Sequence, residues 1–272
     1  MNLVQQHFVS SQSNGLRPET LLFVQNSNQT NQIDINAVNY LVESLFENNL
    51  WNKIDCLYPM VGDNLFNHKF NLKSPYDTNV DYRLVFYGGV TANRLGLQGN
   101  GSNGYANTFF NRQIVNKINV GFTVCIGTNN SSTGDNYDYG VSDGGGTLNE
   151  FFSSKTNNTT FDKVAKLNNA IFNVQNGNDA KGVYSVNKII AINNFKFWKN
   201  SNILSENTTA IGGLSADYPY LLAVNIFNAS VYGYSNQRLQ LVAMHAGFTD
   251  TEIQTFHTII DNFNNMLSRK TW

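Results

Sequence analysis

The chain has 272 residues and a formal net charge of −1. That length suits one large domain, and without a run of Lys or Arg the chain lacks the basic stripe that nucleic-acid binding needs. Charged residues make up 14%, against about 25% in an ordinary soluble domain. The 44 asparagines take their place, so amides and hydroxyls, more than ion pairs, solvate the surface. No apolar run is long enough to cross a bilayer, and MNLVQQHFVSSQS has neither the basic start nor the apolar stretch of a signal peptide. Membrane insertion is therefore not expected, and the eight Asn-X-Ser/Thr sequons carry no implication of glycosylation.

Residues 1–31 are polar and weakly patterned, with a Gly15…Pro18 break and a Gln/Asn-rich end. Within them Leu21, Leu22, Phe23 and Val24 form a strand-sized apolar run. Either this terminus frays, or it is an arm whose Leu21–Val24 strand docks on a neighbouring subunit. A helix is predicted next, with Asp34 as its cap and Val38, Leu41, Val42, Leu45 and Phe46 on one face.

From there the apolar period changes from 3.6 to 2. In DYRLVFYGG, Tyr82, Leu84 and Phe86 face one side, and Arg83, Val85 and Tyr87 the other. In NVGFTVCIGT the inward set is Val120, Phe122, Val124 and Ile126. Tyr184/Val186, Phe195/Phe197, Leu222/Val224/Ile226 and Leu239/Leu241/Ala243 repeat the pattern. Turn signals separate these runs at Gly88-Gly89, Gly144–Gly146, Asn176–Asn178 and Lys199–Ser201. Many short strands without intervening helices predict an antiparallel β-sandwich. A final helix opens with a Thr249/Glu252 capping box and carries one apolar stripe from Ile253 to Leu267, expected to pack on the sandwich.

Reactive chemistry is hard to find in this sequence. There are six glutamates, and no strand carries the paired carboxylates of sandwich-fold glycosidases. His7, His68, His245 and His257 show no metal-ligand spacing, and His245 reads as a hydrogen-bonded ring on the Leu239/Leu241/Ala243 face. No Gly-X-Ser-X-Gly elbow or phosphate loop occurs. Asp135, Asp138 and Asp143 lie in GDNYDYGVSDGGG, whose spacing matches no EF-hand and reads as a solvated loop. Cys56 and Cys125 sit in apolar strand-like stretches, as buried free thiols do. No catalytic residue, metal or cofactor is expected.

LYPMVG (57–62), FNLKSPYD (70–77), RLVFYGG (83–89) and NGSNGYANTFFN (100–111) are the most distinctive stretches. Together with the closing HAGFTDTEIQTFHTIIDNF they resemble a domain recurrent in virion proteins of tailed phages, notably crAss-like and other Bacteroidetes phages. The resemblance covers about 32–272. It implies a mainly β, concanavalin A-like (jelly-roll, laminin-G-like) sandwich with a helix on its N-terminal side and a C-terminal helix. The arm is then 1–31 and the sandwich domain 32–272. Asn100, Gly101, Asn103 and Gly104 become architectural residues, turning the chain where φ is positive, while Tyr105, Phe109 and Phe110 seat the next strand. The implied function is a non-enzymatic virion structural protein, a head- or tail-attached fibre or decoration subunit on the particle exterior. Its implied partners are capsid or tail proteins, further copies of itself as a dimer or trimer, and host surface glycans. The alternative is a dedicated glycan-binding receptor protein, for which Tyr137, Tyr139, Trp198, Tyr218 and Tyr220 are the aromatics able to stack on sugar rings. Core or rim packing is the competing expectation for each.

Overall fold

A computed structural model of the chain describes residues 15–113, 119–130, 134–144, 149–154, 163–167, 170–174, 179–189, 194–208 and 215–272. Residues 1–14 of the expected arm, His7 among them, lie outside this set, as do Gly145, Gly146 and Asn176–Asn178.

Helices α1 (Pro18–Asn26) and α2 (Gln32–Glu47) precede β1 (Ile54–Tyr58), the short helix α3 (Leu65–His68), and the strands β2 (Val85–Tyr87), β3 (Thr91–Asn93), β4 (Gly96–Gln98) and β5 (Tyr105–Asn107). Next come β6 (Val120–Ile126), β7 (Tyr139–Ser142), β8 (Glu150–Ser154), β9 (Lys163–Leu167), β10 (Ala170–Val174), β11 (Gly182–Ile189), β12 (Asn194–Lys199) and β13 (Asn202–Asn207). The short β14 (Tyr220–Leu221), β15 (Val224–Ile226) and β16 (Ser230–Tyr232) lead to β17 (Arg238–Ala246) and the closing helix α4 (Asp250–Met266). The first sheet runs β13-β12-β11-β6-β17-β4-β3, with β1 also paired to β17. The second runs β10-β9-β8-β7-β14-β5-β2, with β15 on β7 and β16 on β15. Pairing is antiparallel except between β15 and β7. The fold is a mainly β, jelly-roll-like sandwich of the concanavalin A-like kind.

The alternation in β6 shows how the layers form. Val120, Phe122, Val124 and Ile126 point into the sandwich core beside Phe152, Phe172 and Leu221 from the second sheet. Cys125 points the opposite way, into a second core shared with Val183, Trp198 and Leu241 of the first sheet and with residues of α2 and α4. Every position of β6 is buried because the strand is covered on both faces. The helices thus form a third layer, and α4 packs on the first sheet as its stripe predicts. Both cysteines are buried free thiols.

Three sequence expectations are corrected. Leu21–Val24 is not a docking strand; it lies within α1. Pro18 opens that helix, where its fixed φ suits the first turn, and Phe23 is buried in the helical-layer core. A four-residue apolar run carries too little periodicity to separate helix from strand. Residues 15–31 are thus packed on the body. Second, the cap of α2 is Asn31, whose Oδ1 accepts from the N–H groups of Ile33 (2.9 Å) and Asp34 (3.3 Å). Asp34 sits inside the first turn, buried and paired to Arg94 at 3.0 Å. Third, Leu239, Leu241 and Ala243 do not share a face. A bulge between Leu239 and Leu241 turns Leu239, Val242 and Met244 inward and sends Leu241 and Ala243 to the helices. An extra residue in one strand inverts the side of all that follow.

Two further readings change in detail. Only Val85–Tyr87 of DYRLVFYGG pairs as strand, with Tyr82 left-handed at φ 61°, yet Tyr82, Leu84 and Phe86 do pack on the sandwich core. Leu222 is likewise left-handed, φ 66°, so the Leu222/Val224/Ile226 run is broken and the strand before it is β14.

The NGSNGYANTFFN stretch is a closed turn. The Asn100 side-chain oxygen accepts from the N–H groups of Ser102, Asn103 and Gly104 at 3.0, 3.1 and 3.0 Å, and the Asn103 oxygen accepts from the Gly89 N–H at 3.0 Å. Gly101 has the expected positive φ, 72°. Gly104 does not. It is needed for close approach, since a Cβ there would lie 3.0 Å from the Gly89 carbonyl. The turn is therefore fitted to the Gly88-Gly89 corner of the neighbouring motif. Phe110 is buried in the sandwich core, while Phe109, at φ 54°, rests on Tyr218.

Candidate functional site

Two polar networks run through the interior. Arg112 donates to Glu150 through Nε (2.6 Å) and Nη2 (2.8 Å) and to the Gly121 carbonyl (2.7 Å). Tyr139 donates to the same carboxylate. Glu150 is 3% exposed and Tyr139 fully buried, so this trio ties β7, β8 and β6 together inside the sandwich. A second chain runs from His257 through Ser185 and Thr123 to His245. His257 accepts the Ser201 N–H at Nδ1 (2.8 Å), leaving Nε2–H to donate to Ser185 Oγ (2.8 Å). Ser185 and Thr123 hydroxyls follow at 2.6 Å and Thr123 to His245 Nε2 at 3.0 Å, and His245 Nδ1–H donates to the Ala246 carbonyl (2.7 Å). His257 is neutral in this arrangement, and burial lowers it to about 3. His245 stacks on Phe248 with centroids 4.1 Å apart, a hydrogen-bonded ring as expected, though fully buried.

Of the aspartates in GDNYDYGVSDGGG, Asp138 is buried and accepts from Ser154 and Ser235. Burial raises it to about 6 despite these bonds. Asp135 instead accepts from the Tyr232 hydroxyl at 2.6 Å. Among the described residues no cluster of His, Cys, Asp and Glu has the grouping of a metal site. The helical layer carries an open groove of about 490 Å³ between α2 and α4, lined by hydroxyls and amides of Tyr40, Ser44, Gln254 and Thr258 around the single carboxylate of Glu47.

The outer face of the second sheet is different. Register sets Tyr87 of β2 opposite Tyr105 of β5, and Tyr220 of β14 lies across Asn107 on the same side. The Tyr87 and Tyr105 rings stack at 4.8 Å and 12°, and Tyr105 and Tyr220 at 4.9 Å and 22°. That is the spacing of neighbouring strands, so the stack follows from the ladder itself. Tyr234 lies 6.3 Å from Tyr105. A bridge between Tyr137 and Tyr234 carries the band onward, where Tyr137 meets Phe151 edge-on at 5.1 Å and Tyr232 at 6.3 Å.

Rings stacked across strands hide their faces from one another and present edges and hydroxyls to water. Open faces remain at the two ends, on Tyr87 at the sheet edge (42% exposed) and Tyr232 (49% exposed). The hydroxyl of Tyr232 is held by Asp135. Those of Tyr87, Tyr105, Tyr137, Tyr220 and Tyr234 have no hydrogen-bond partner among the described residues. Burial pushes Tyr137 and Tyr220 up to about 12, so both remain protonated, able to donate and to accept. The arrangement can bind a ligand that has both apolar ring faces and hydroxyls.

The five aromatics read from sequence divide accordingly. Tyr137 and Tyr220 belong to the band. Tyr218 stands apart against Phe109. Tyr139 is buried on Glu150, and Trp198 is 1% exposed in the helical-layer core, so neither can stack on a ligand. Tyr87, Tyr105, Tyr232 and Tyr234 were missed. The outward phase of Tyr87 in DYRLVFYGG was the available signal; the others are joined to it only by the sheet.

No protein-family model matches the sequence, and no curated protein matches it. Solved structures do share the fold. Botulinum neurotoxin type C aligns with a TM-score of 0.53 and 12% identity over 80% of this chain and 52% of that one. A mutant Trypanosoma rangeli sialidase displaying trans-sialidase activity gives 0.52 and 10%, over 86% of this chain and 39% of that one. The same organism's sialidase in complex with sialic acid gives 0.50 and 12%, over 82% and 39%. The chain therefore matches about half or less of each of these proteins, and at these identities the likeness shows the β-sandwich alone.

Proposed function

We propose that this chain is a non-catalytic subunit of the exterior of a tailed-phage particle, a fibre or decoration protein whose second sheet recognises host surface glycans. The tyrosine band carries the recognition part of this reading. Sugar rings have apolar C–H faces and a rim of hydroxyls, and the band supplies open aromatic faces at its ends and unpaired phenol groups between them. A sialidase bound to sialic acid and a neurotoxin that interacts with gangliosides use the same sandwich architecture, which makes glycan recognition a natural use of the scaffold. The virion assignment rests on the motifs at 57–62, 70–77, 83–89 and 100–111, which the structure packs together as architecture. Repetition on a symmetric particle would let weak single-site binding act as avidity and favours a dimer or trimer.

The test has two arms. Mass spectrometry and immunogold labelling of purified virions should place the chain on the particle surface. Array binding of the purified protein should detect glycans and lose them in a Tyr87→Ala/Tyr232→Ala double variant that still folds. A chain found on virions that binds no glycan is a structural decoration protein only. Release of reducing ends from any bound polymer would refute the non-catalytic assignment.

A further inference from the structure

Resting on that reading, we infer that the glycan site extends past Tyr232 along the β15–β16 hairpin, where Phe227 supplies a further aromatic platform. The ligand is then an extended oligosaccharide and not a single terminal sugar. Phe227 stands at the hairpin tip and is 59% exposed, more than any other aromatic among the described residues. Strand pairing places Tyr232 opposite Val224 and Ser230 opposite Ile226, so these four share one face of the ribbon. The tip lies two to three residue rises beyond Tyr232, roughly 7–10 Å. One sugar ring cannot reach from Tyr232 to the tip; a chain of rings can.

The tip is built in a way that core packing does not explain. Phe227 and Asn228 are both left-handed, with φ of 56° and 52°, and the Ala229 N–H closes the turn on the Ile226 carbonyl at 3.0 Å. Hairpin turns with two left-handed central residues favour Asn, Asp or Gly there. Asn228 fits that rule; a phenylalanine does not, since its Cβ crowds the backbone at positive φ. Strained residues of this kind persist where their surroundings hold them, and they concentrate at ligand sites. Here the holding groups are explicit. Asn225, 1% exposed, donates to the Tyr218 carbonyl (2.8 Å) and to Asn228 Oδ1 (2.5 Å), and accepts the Asn228 N–H (3.0 Å). Asn228 in turn donates to Asp217 at 2.6 Å, and the Phe227 N–H donates to the Ser142 carbonyl at 3.1 Å. Gly144 leaves room for the ring, because a Cβ there would lie 2.0 Å from Phe227 Cε2. The ring is thus seated against the chain at Gly144 and still mostly exposed. A platform fixed before the ligand arrives lowers the ordering cost of binding, and its continuity with Tyr232 assigns it to the glycan site.

The experiment is calorimetry with cello-, manno- and galacto-oligosaccharides, each as the disaccharide and the hexasaccharide. At least one hexasaccharide should bind about three- to tenfold more tightly than its disaccharide. Phe227→Leu keeps the bulk and the backbone strain but removes the aromatic face; it should erase that gain and leave disaccharide binding unchanged, whereas Phe227→Tyr should retain it. Phe227→Asn suits the turn and should lose the same gain, with a melting temperature unchanged or raised by about 1–4 °C. Hexasaccharide binding indifferent to Phe227→Leu would overturn the extension and leave glycan recognition by the band intact. A melting temperature lowered by Phe227→Asn would show the ring to be structural packing, which also overturns it. Variants that no longer join particles yet keep full hexasaccharide affinity would make the tip a protein contact instead. A folded protein that binds nothing on the glycan array or among these oligomers would overturn glycan recognition itself, and the extension with it.

Discussion

The two sheets of this sandwich each have an outer face, and the two faces have been built for opposite surroundings. On the first sheet, Cys125, Val183, Trp198 and Leu241 are sealed beneath α2 and α4 and are at most 1% exposed. On the second, Tyr87, Tyr105, Tyr137 and Tyr232 occupy the equivalent outward phase and remain in contact with water. Aliphatic groups and tryptophan appear where a helix excludes solvent. Tyrosine, apolar in its body and polar at its tip, appears where no described helix does. An aromatic residue on a strand is therefore informative about function only once the layer above it is known.

That contrast can be tested by truncation. Trp198→Ala should destabilise the fold by about 3–5 kcal/mol in denaturant unfolding, because it opens a cavity that the helices cannot fill. Glu150→Gln belongs to the same class of effect, about 3–5 kcal/mol, since it leaves the Arg112 guanidinium buried without a counter-charge. A Glu150→Gln/Arg112→Met double variant should recover part of that loss; no recovery would mean that Glu150 acts through Tyr139 instead.

Acid should act through the interior and spare the band. Burial holds His257 at about 3 and, against the hydrogen bond that His68 donates to the Gly62 carbonyl, His68 at about 4, both below the ordinary 6.5. The unfolded chain thus takes up protons that the folded chain refuses, and stability falls as pH drops from about 6.5 towards 3–4, by on the order of a few kcal/mol. Asp138, raised to about 6 by burial, opposes this: its folded form gains the proton first, which adds stability as pH falls from about 6 to 4. Two histidines outweigh one aspartate, so the melting temperature should decline over this range, and more steeply in Asp138→Asn. A flat profile would show that the histidines ionise without unfolding the protein.

Smaller effects are expected at the surface. Asn100→Ala removes one acceptor from three N–H groups that water can partly satisfy, and should cost about 1–2 kcal/mol. Tyr232→Ala should cost less than about 1 kcal/mol while reducing glycan binding. A loss as large as that of Trp198→Ala would mean that the band is a structural layer and not an exposed surface.

Several features were legible in the residues. The inward set of β6, the face of α2, the Thr249/Glu252 capping box and the stripe of α4 all follow from short-range rules, because side-chain phase and cap hydrogen bonds depend on residues only a few positions apart. So did the sidedness of Tyr82, Leu84 and Phe86, although only part of that segment pairs as strand. Other features were decided by the tertiary structure. Leu21–Val24 became helix because Phe23 has α2 to pack against. The bulge in β17 reversed the phase after Leu239, and Trp198 and Tyr139 went to buried cores while Tyr137 stayed outside. The tyrosine band joins residues 87, 105, 137, 220, 232 and 234, which lie in separate strands and loops, and their alignment depends on strand register. Local sequence sets the alternation of sides along an uninterrupted strand; where a bulge resets that phase, and what covers each side, are properties of the layers, set by long-range packing that no window of neighbouring residues contains.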